Sequence, residues 1–206
     1  MTTVLLVRHG ETGWNAERRL QGWAPVPLSA RGREQARRLA DALAERHDVD
    51  RVVASDLART VETAELLAGP LGLEVVEDAA WRERDFGVLQ GLGYDAFDEL
   101  RPAASLAVAG EDAVDVRPER GESLADLRDR VLDAWAALLA EAGPDETHVV
   151  VTHGGPIYLV LGHLLDRGIV EAVLGSSQAN CAVNEIRVER GEATVRREND
   201  TSLRDA

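Results

Sequence analysis

Three short apolar runs dominate the hydrophobic pattern of this chain, and each ends near an arginine or a histidine. They are Thr3-Val4-Leu5-Leu6-Val7, followed by Arg8-His9-Gly10; Arg51-Val52-Val53-Ala54, with Arg59 shortly after; and His148-Val149-Val150-Val151-Thr152, followed by His153. Continuous runs of this length, rich in β-branched residues, read as strands covered on both faces. Between them the period lengthens to that of helices. Ser29 is placed to cap a helix through Glu34, Ala36, Leu39, Ala40 and Leu43. Asp56 or Ser55 is placed to cap a second, with Leu57, Val61, Ala64 and Leu67 on one face. Ser123-Leu124-Ala125-Asp126 is a capping box before Leu124, Leu127, Val131, Trp135, Leu138 and Ala142, with Trp135 in the core. Gly154-Gly155-Pro156 opens a further helix, with proline early, where its missing N–H does no harm. Glu74-Val75-Val76 reads as a short strand, and Val183–Val188 with Ala193–Arg197 as a closing hairpin turning at Arg190-Gly191. Strands alternating with helices predict an α/β fold, a three-layer α/β/α sandwich with a mainly parallel sheet.

The pattern breaks between Leu89 and Gly121, where Gly91, Gly93, Pro102, Gly110 and Pro118 interrupt any period. Such a stretch is too long for a plain loop, so residues 89–121 read as a cap or insertion over the carboxyl rim of the sheet. At 206 residues the whole chain, 1–206, reads as one domain carrying that insertion.

In an open parallel sheet, ligands bind outside the carboxyl ends of the strands. Three strand ends would therefore bring Arg8, His9, Arg59 and His153 to one rim. Guanidinium groups match phosphoryl oxygens, and an imidazole among them can attack phosphorus. Arg59 lies in the first turn of its helix, where its charge opposes the macrodipole at a cost of about 0.3–1 kcal/mol. The alternative for Arg59 is a surface ion pair with Asp56 or Glu62, and spacing alone does not separate the two. Gly10 and Gly154-Gly155 would let backbone N–H groups face an anion, the second pair at a helix N-terminus. His47, His148 and His163 read as helix-end or core residues, with no zinc spacing among them.

Composition narrows the chemistry. Lysine is absent and all 23 basic residues are arginine, which excludes a Walker-type lysine and a lysine Schiff base. A net charge of −14 argues against a nucleic-acid partner. The one cysteine, Cys181, rules out a disulfide within the chain and reads as a buried thiol in a strand. No stretch has the length of a membrane span or the layout of a signal peptide, so a cytoplasmic protein is expected. The excess of 37 acidic over 23 basic residues resembles the surface of proteins from salt-loaded cytoplasm. Self-repulsion at this charge destabilises the fold, and salt relieves it as the Debye length falls to about 3 Å at 1 M. The melting temperature is therefore expected to rise with KCl toward molar concentration. A flat or falling melting temperature across the series would reject that reading.

Five ordered blocks carry a resemblance. They are Arg8-His9-Gly10-Glu11-Thr12-Gly13-Trp14-Asn15 with Leu20-Gln21-Gly22 and Pro27-Leu28-Ser29; Ser55-Asp56-Leu57-Ala58-Arg59-Thr60; Trp81-Arg82-Glu83-Arg84-Asp85-Phe86-Gly87; Gly121-Glu122-Ser123; and Val151-Thr152-His153-Gly154-Gly155. Together they resemble the histidine phosphatase (phosphoglycerate mutase-like) superfamily over nearly the whole chain. The resemblance implies that His9 becomes the phosphohistidine and Glu83 protonates the leaving alcohol. It implies that Arg8, Arg59 and His153 hold the phosphoryl oxygens, with Asn15, Gln21, Gly22 and Gly154 beside the substrate. It implies no metal and no other cofactor, a small phosphorylated metabolite as substrate, and no membrane partner. Pro25 and Ser202 stand where the family often has aspartate and histidine.

Three readings follow from the resemblance: a phosphomonoesterase, a cofactor-dependent phosphoglycerate mutase, and an inactive binding module. Such mutases carry a substrate-binding lysine near the position of Tyr94 and an adjacent arginine pair, whereas Arg117 and Arg120 are separated here. The phosphatase reading is favoured, with Arg101, Arg117 or Arg120 as candidate contacts to a second anionic group.

Overall fold

In the computed structural model, which describes residues 1–205, the sheet is covered on both sides, and its strands show why their apolar runs are continuous. In β1 (Thr2–Arg8), Val4 and Leu6 point into one hydrophobic cluster while Leu5 and Val7 point into another. In β2 (Arg51–Ala54) the split is Val53 against Val52 and Ala54. In β4 (Thr147–Thr152) it is Val150 against Val149 and Val151. Alternate side chains leave opposite faces of a strand, so a strand between two helical layers is apolar throughout.

The first cluster lies under α6 (Leu124–Glu141) and α7 (Gly154–Leu164), the second under α2 (Ala30–Arg46) and α3 (Ala58–Leu71). The remaining elements are α1 (Gly13–Ala16), β3 (Val75–Glu77), α4 (Tyr94–Leu100), α5 (Leu106–Ala109), α8 (Ile169–Leu174), β5 (Val183–Glu189) and β6 (Glu192–Asp200). The strand order is β3-β2-β4-β1-β5-β6. Neighbouring pairs are parallel from β3 to β1, and β5 runs against both β1 and β6. This is the three-layer, mainly parallel α/β architecture that the sequence predicts. No helix among the described residues is long and apolar enough to cross a membrane.

Ser29 caps α2 by accepting from Gly32 N, and Ser123 and Asp126 form the capping box of α6. The expected cap of α3 does not form. Its N-cap is Leu57, without a side-chain hydrogen bond. Asp56 is engaged in an ion pair with Arg82, and Ser55 Oγ meets His153 Nε2 at 3.0 Å. Cys181 also departs from expectation. It is buried, but in a turn before β5, with φ +54°. Burial pushes its thiol up to about 12, so it is not a nucleophile at neutral pH.

Residues 89–121 hold α4, α5 and two single 3-10 turns. Leu89, Phe97 and Ala104 close a third small cluster with Leu20, and Leu106, Ala113 and Val114 join the first cluster. Backbone bonds from Leu20 N to Leu92 O and from Tyr94 N to Arg18 O tie the segment to the loop after α1. Buried Arg84 ties its far end, donating to Val116 O and Glu122 O at 2.9 Å each.

Candidate active site

Strand register assembles the site. Parallel pairing aligns Arg8 with Thr152 and Ala54 with Val151. The next residues, His9 and His153, therefore leave the sheet at one level, with Ser55 one step before them, level with Thr152. Bonds from His9 N to Thr152 O and from Ser55 N to Val151 O, each 3.0 Å, continue the ladder one step beyond the strands. The two imidazoles are buried with ring centroids 5.1 Å apart, crossing at 63°.

Between them lies the guanidinium of Arg59. Its Nε donates to His9 Nε2 at 3.3 Å, and its Nη2 meets His153 Nδ1 at 3.1 Å. The same Nη2 donates to Gly22 O at 2.7 Å, and Nη1 donates to Ala24 O at 3.2 Å. Arg59 is 1% exposed. The ion pairs that would have kept it at the surface do not exist, because Asp56 pairs with Arg82 and Glu62 with Arg33. Burial pulls the guanidinium down to about 10, with Glu83 opposing and Arg8 reinforcing that shift. It remains a cation at neutral pH, buried without a carboxylate partner among the described residues.

His9 presents a defined tautomer. Its Nδ1 lies 2.7 Å from Gly10 O, an acceptor only, so Nδ1 carries the proton and Nε2 the lone pair. Burial first, then Arg59 and Arg8, hold His9 well below the ordinary imidazole range, against the raising effect of the Gly10 carbonyl. His153 is lowered in the same direction by burial, then by Arg59, His9 and Arg8. Both rings are thus neutral in the folded protein at pH values where they protonate in the unfolded chain.

The sign of the pH effect follows. A group with a depressed folded pKa contributes stability above its unfolded value, about 6.5 for imidazole, and that contribution is lost as pH falls. Urea midpoints are expected to hold from about pH 8 to about 6.5 and to decline below that. The decline should be shallower in His9→Ala, which removes one of the two fully buried sites and leaves His153 and the less buried His47, also lowered by burial. An equal slope in the variant would remove His9 from this linkage.

Arg8 is half-buried. Its Nη1 donates to Gln178 O, while its Nε is buried with no protein acceptor. Glu83 lies on the loop after the buried Trp81, which is tied to β4 by a 2.7 Å bond from Thr152 Oγ1 to Trp81 O. Its carboxylate accepts from Arg84 N at 2.8 Å and from Gly155 N at 3.1 Å. Trp23 Nε1 and Arg130 Nη2 hold its backbone carbonyl. A Cβ on Gly155 would sit 2.1 Å from Glu83 Oε1, so the carboxylate packs directly on the first turn of α7.

Not every predicted residue acts as expected. The Gly10 N–H is taken by Thr63 Oγ1 at 3.1 Å, and a Cβ at Gly10 would meet Gly32 O at 2.5 Å. That glycine serves a close backbone crossing with α2, not an open anion nest. The Gly155 N–H likewise goes to Glu83; Gly154 stands at the helix start with Tyr158 packed beside it. Gln21 is buried, its Oε1 accepting from Thr12 Oγ1 at 2.9 Å, and Gly22 supplies the carbonyl that holds Arg59. Asn15 is tied to the loop that follows β1 through Thr12.

Arg117 is exposed and paired with Asp126 at 2.8 Å; Arg101 and Arg120 are exposed. Tyr94 and Tyr158 were not singled out as site residues, yet both lie near enough to Arg8 and Glu83 to feel both charges. Burial raises both phenols, and only the fold brings them there. Among the described residues, no group of three or more His, Cys, Asp or Glu side chains could hold a metal ion.

Comparison with known proteins identifies the family. Residues 4–201 match the family model of the histidine phosphatase superfamily, branch 1. Phosphoglycerate mutase-like protein 4 of Arabidopsis thaliana is 40% identical over 191 residues, covering 92% of this chain and 80% of that protein. Among solved structures, YhfR of Bacillus stearothermophilus superposes with a TM-score of 0.87 at 30% identity, covering 99% of this chain and 100% of that one. A mycobacterial glucosyl-3-phosphoglycerate phosphatase in complex with VO3 gives 0.84 at 30% identity, covering 96% and 98%. With its family model spanning nearly the whole sequence and its two histidines and buried arginine meeting at the strand ends, this chain belongs to the histidine phosphatase superfamily, branch 1.

Proposed function

We propose that the protein is a phosphomonoesterase that hydrolyses a small phosphorylated metabolite through a phosphohistidine on His9. The observation that carries this reading is Arg59, a buried cation shared between two neutral imidazoles with no carboxylate partner. A buried charge is costly unless paired, and a phosphoryl group is the anion whose geometry guanidinium matches. The orphaned Nε of Arg8 points to the same need, since a buried donor without an acceptor costs about 1–3 kcal/mol.

In this mechanism His9 Nε2 attacks phosphorus, the ester P–O bond breaks, and Glu83 gives its proton to the departing oxygen. Water then attacks the phosphohistidine, Glu83 takes a proton from it, and the N–P bond breaks to release phosphate and restore His9. Arg8 and Arg59 neutralise the oxygens of the transferring group, with neutral His153 beside them, where preorganised charge contributes most. Residues 89–121 act as a cap that shapes the leaving-group side. The arginines supply the charge for this chemistry without a metal.

The mutase reading is favoured by the names of curated relatives, the 40% identical plant protein and the probable phosphoglycerate mutases GpmB at 38–40% identity. It differs from hydrolysis only in the acceptor of the phosphoryl group. The chain has no lysine, and Arg117 is engaged with Asp126, so the cations that would hold a phosphoglycerate carboxylate are few. A panel of phosphorylated metabolites, read by released phosphate beside an assay for phosphate movement within phosphoglycerate, decides between them. Phosphate release from at least one metabolite with no mutase turnover is expected. Mutase turnover exceeding hydrolysis would reverse the assignment.

A further inference from the structure

The loop from Gln178 to Cys181 has no part in the chemistry above, yet it touches three residues of the phosphoryl pocket. Gln178 O accepts from Arg8, and Cys181 N donates to Arg8 O at 2.9 Å. Asn180 Nδ2 donates to His9 O at 3.0 Å and to Asn15 Oδ1 at 3.2 Å. The loop is itself held, by Ala179 N donating to Asn199 Oδ1 at 2.7 Å and by Arg204 donating to Asn180 O.

The orientation of the Asn15 amide follows from these contacts. Thr12 N donates to Asn15 Oδ1 at 3.1 Å, and a backbone N–H can only donate, so that atom is the oxygen. Asn180 supplies a second donor to the same oxygen. With its oxygen bound on both sides, Asn15 has its Nδ2 turned away from Thr12 and Asn180. Among the described residues that Nδ2 has no protein acceptor.

We propose that Asn180 is a positioning residue, tying the His9 carbonyl to the Asn15 oxygen so that Asn15 Nδ2 stands ready to donate to a phosphoryl oxygen. The proposal rests on the phosphoryl-transfer reading above. Hydrogen bonds to an ionised group are about twice as strong as neutral ones, so losing a correctly aimed donor has a measurable effect on anion affinity.

A double-mutant cycle with orthovanadate as the probe tests it, with KM and kcat for an aryl phosphate measured in parallel and melting temperatures checking each fold. Asn180→Ala is expected to raise the vanadate Ki about tenfold, acting more on KM than on kcat. Asn180→Asp should be worse, because a carboxylate cannot donate and would face two acceptor oxygens. In an Asn15→Ala background the effect of Asn180→Ala should shrink to about twofold, since only the tie to His9 O is left. An unchanged Ki in Asn180→Ala, or the same penalty in both backgrounds, overturns the proposal. If the unmutated protein neither binds vanadate nor releases phosphate from any ester, the phosphoryl-transfer reading falls, and this inference with it.

Discussion

Replacement of His9 by alanine is expected to lower turnover by a factor on the order of 10⁴ or more, the scale on which removing a nucleophile acts. The ring is buried, but it stands beyond the end of β1 and outside the three hydrophobic clusters, so its loss should not unfold the protein. Arg59 would keep its bonds to Gly22 O, Ala24 O and His153. Brief reaction with labelled ester followed by denaturation should trap label on the parent protein only. The adduct should be labile to acid and stable to base, as expected of a phosphoramidate. An acid-stable adduct, or turnover surviving in the variant, would falsify a His9 nucleophile. The rate should persist to pH values below the ordinary imidazole range, because burial and two arginines keep His9 unprotonated there.

Glu83→Gln has the second largest expected effect, and its signature is selective. An alkoxide leaves poorly without a proton, whereas a nitrophenolate needs little help. Alkyl phosphate hydrolysis should slow by about 10²–10³-fold and nitrophenyl phosphate hydrolysis by about tenfold or less. Glutamine keeps the acceptor oxygen for the N–H groups of Arg84 or Gly155, so the loop should hold its place. Equal losses across leaving groups would assign Glu83 to positioning instead of proton transfer.

Much of the fold was legible because its signals are local. The valine-rich runs of β1, β2 and β4, the Ser29 cap and the Ser123–Asp126 box each lie within a few residues of one another in sequence. The α3 cap was misread because Ser55 and Asp56 are both good caps in isolation. Each has a stronger engagement with a residue far along the chain, His153 and Arg82. Cys181 was misplaced for a similar reason, since its apolar neighbours suggest a strand while the loop that clamps Arg8 demands a turn there.

The site divides along the same line. The sequence pattern alone singled out a histidine and an arginine adjacent after β1, a second arginine at a helix start and a second histidine before a glycine pair, while the glutamate between them was marked only by the family resemblance. It could not choose between a surface and a buried Arg59, because Asp56 and Glu62 offered equally near partners. Tertiary structure decided that by giving both carboxylates to other arginines and placing the guanidinium between two rings from strands far apart in sequence. It also decided the His9 tautomer, through the direction of the Gly10 carbonyl, and brought a second donor onto the Asn15 oxygen from a side chain 165 residues away. Hydrophobic period and capping are read from neighbours along the chain, whereas the partners of Arg59 and His153 are atoms that only strand register and packing bring together.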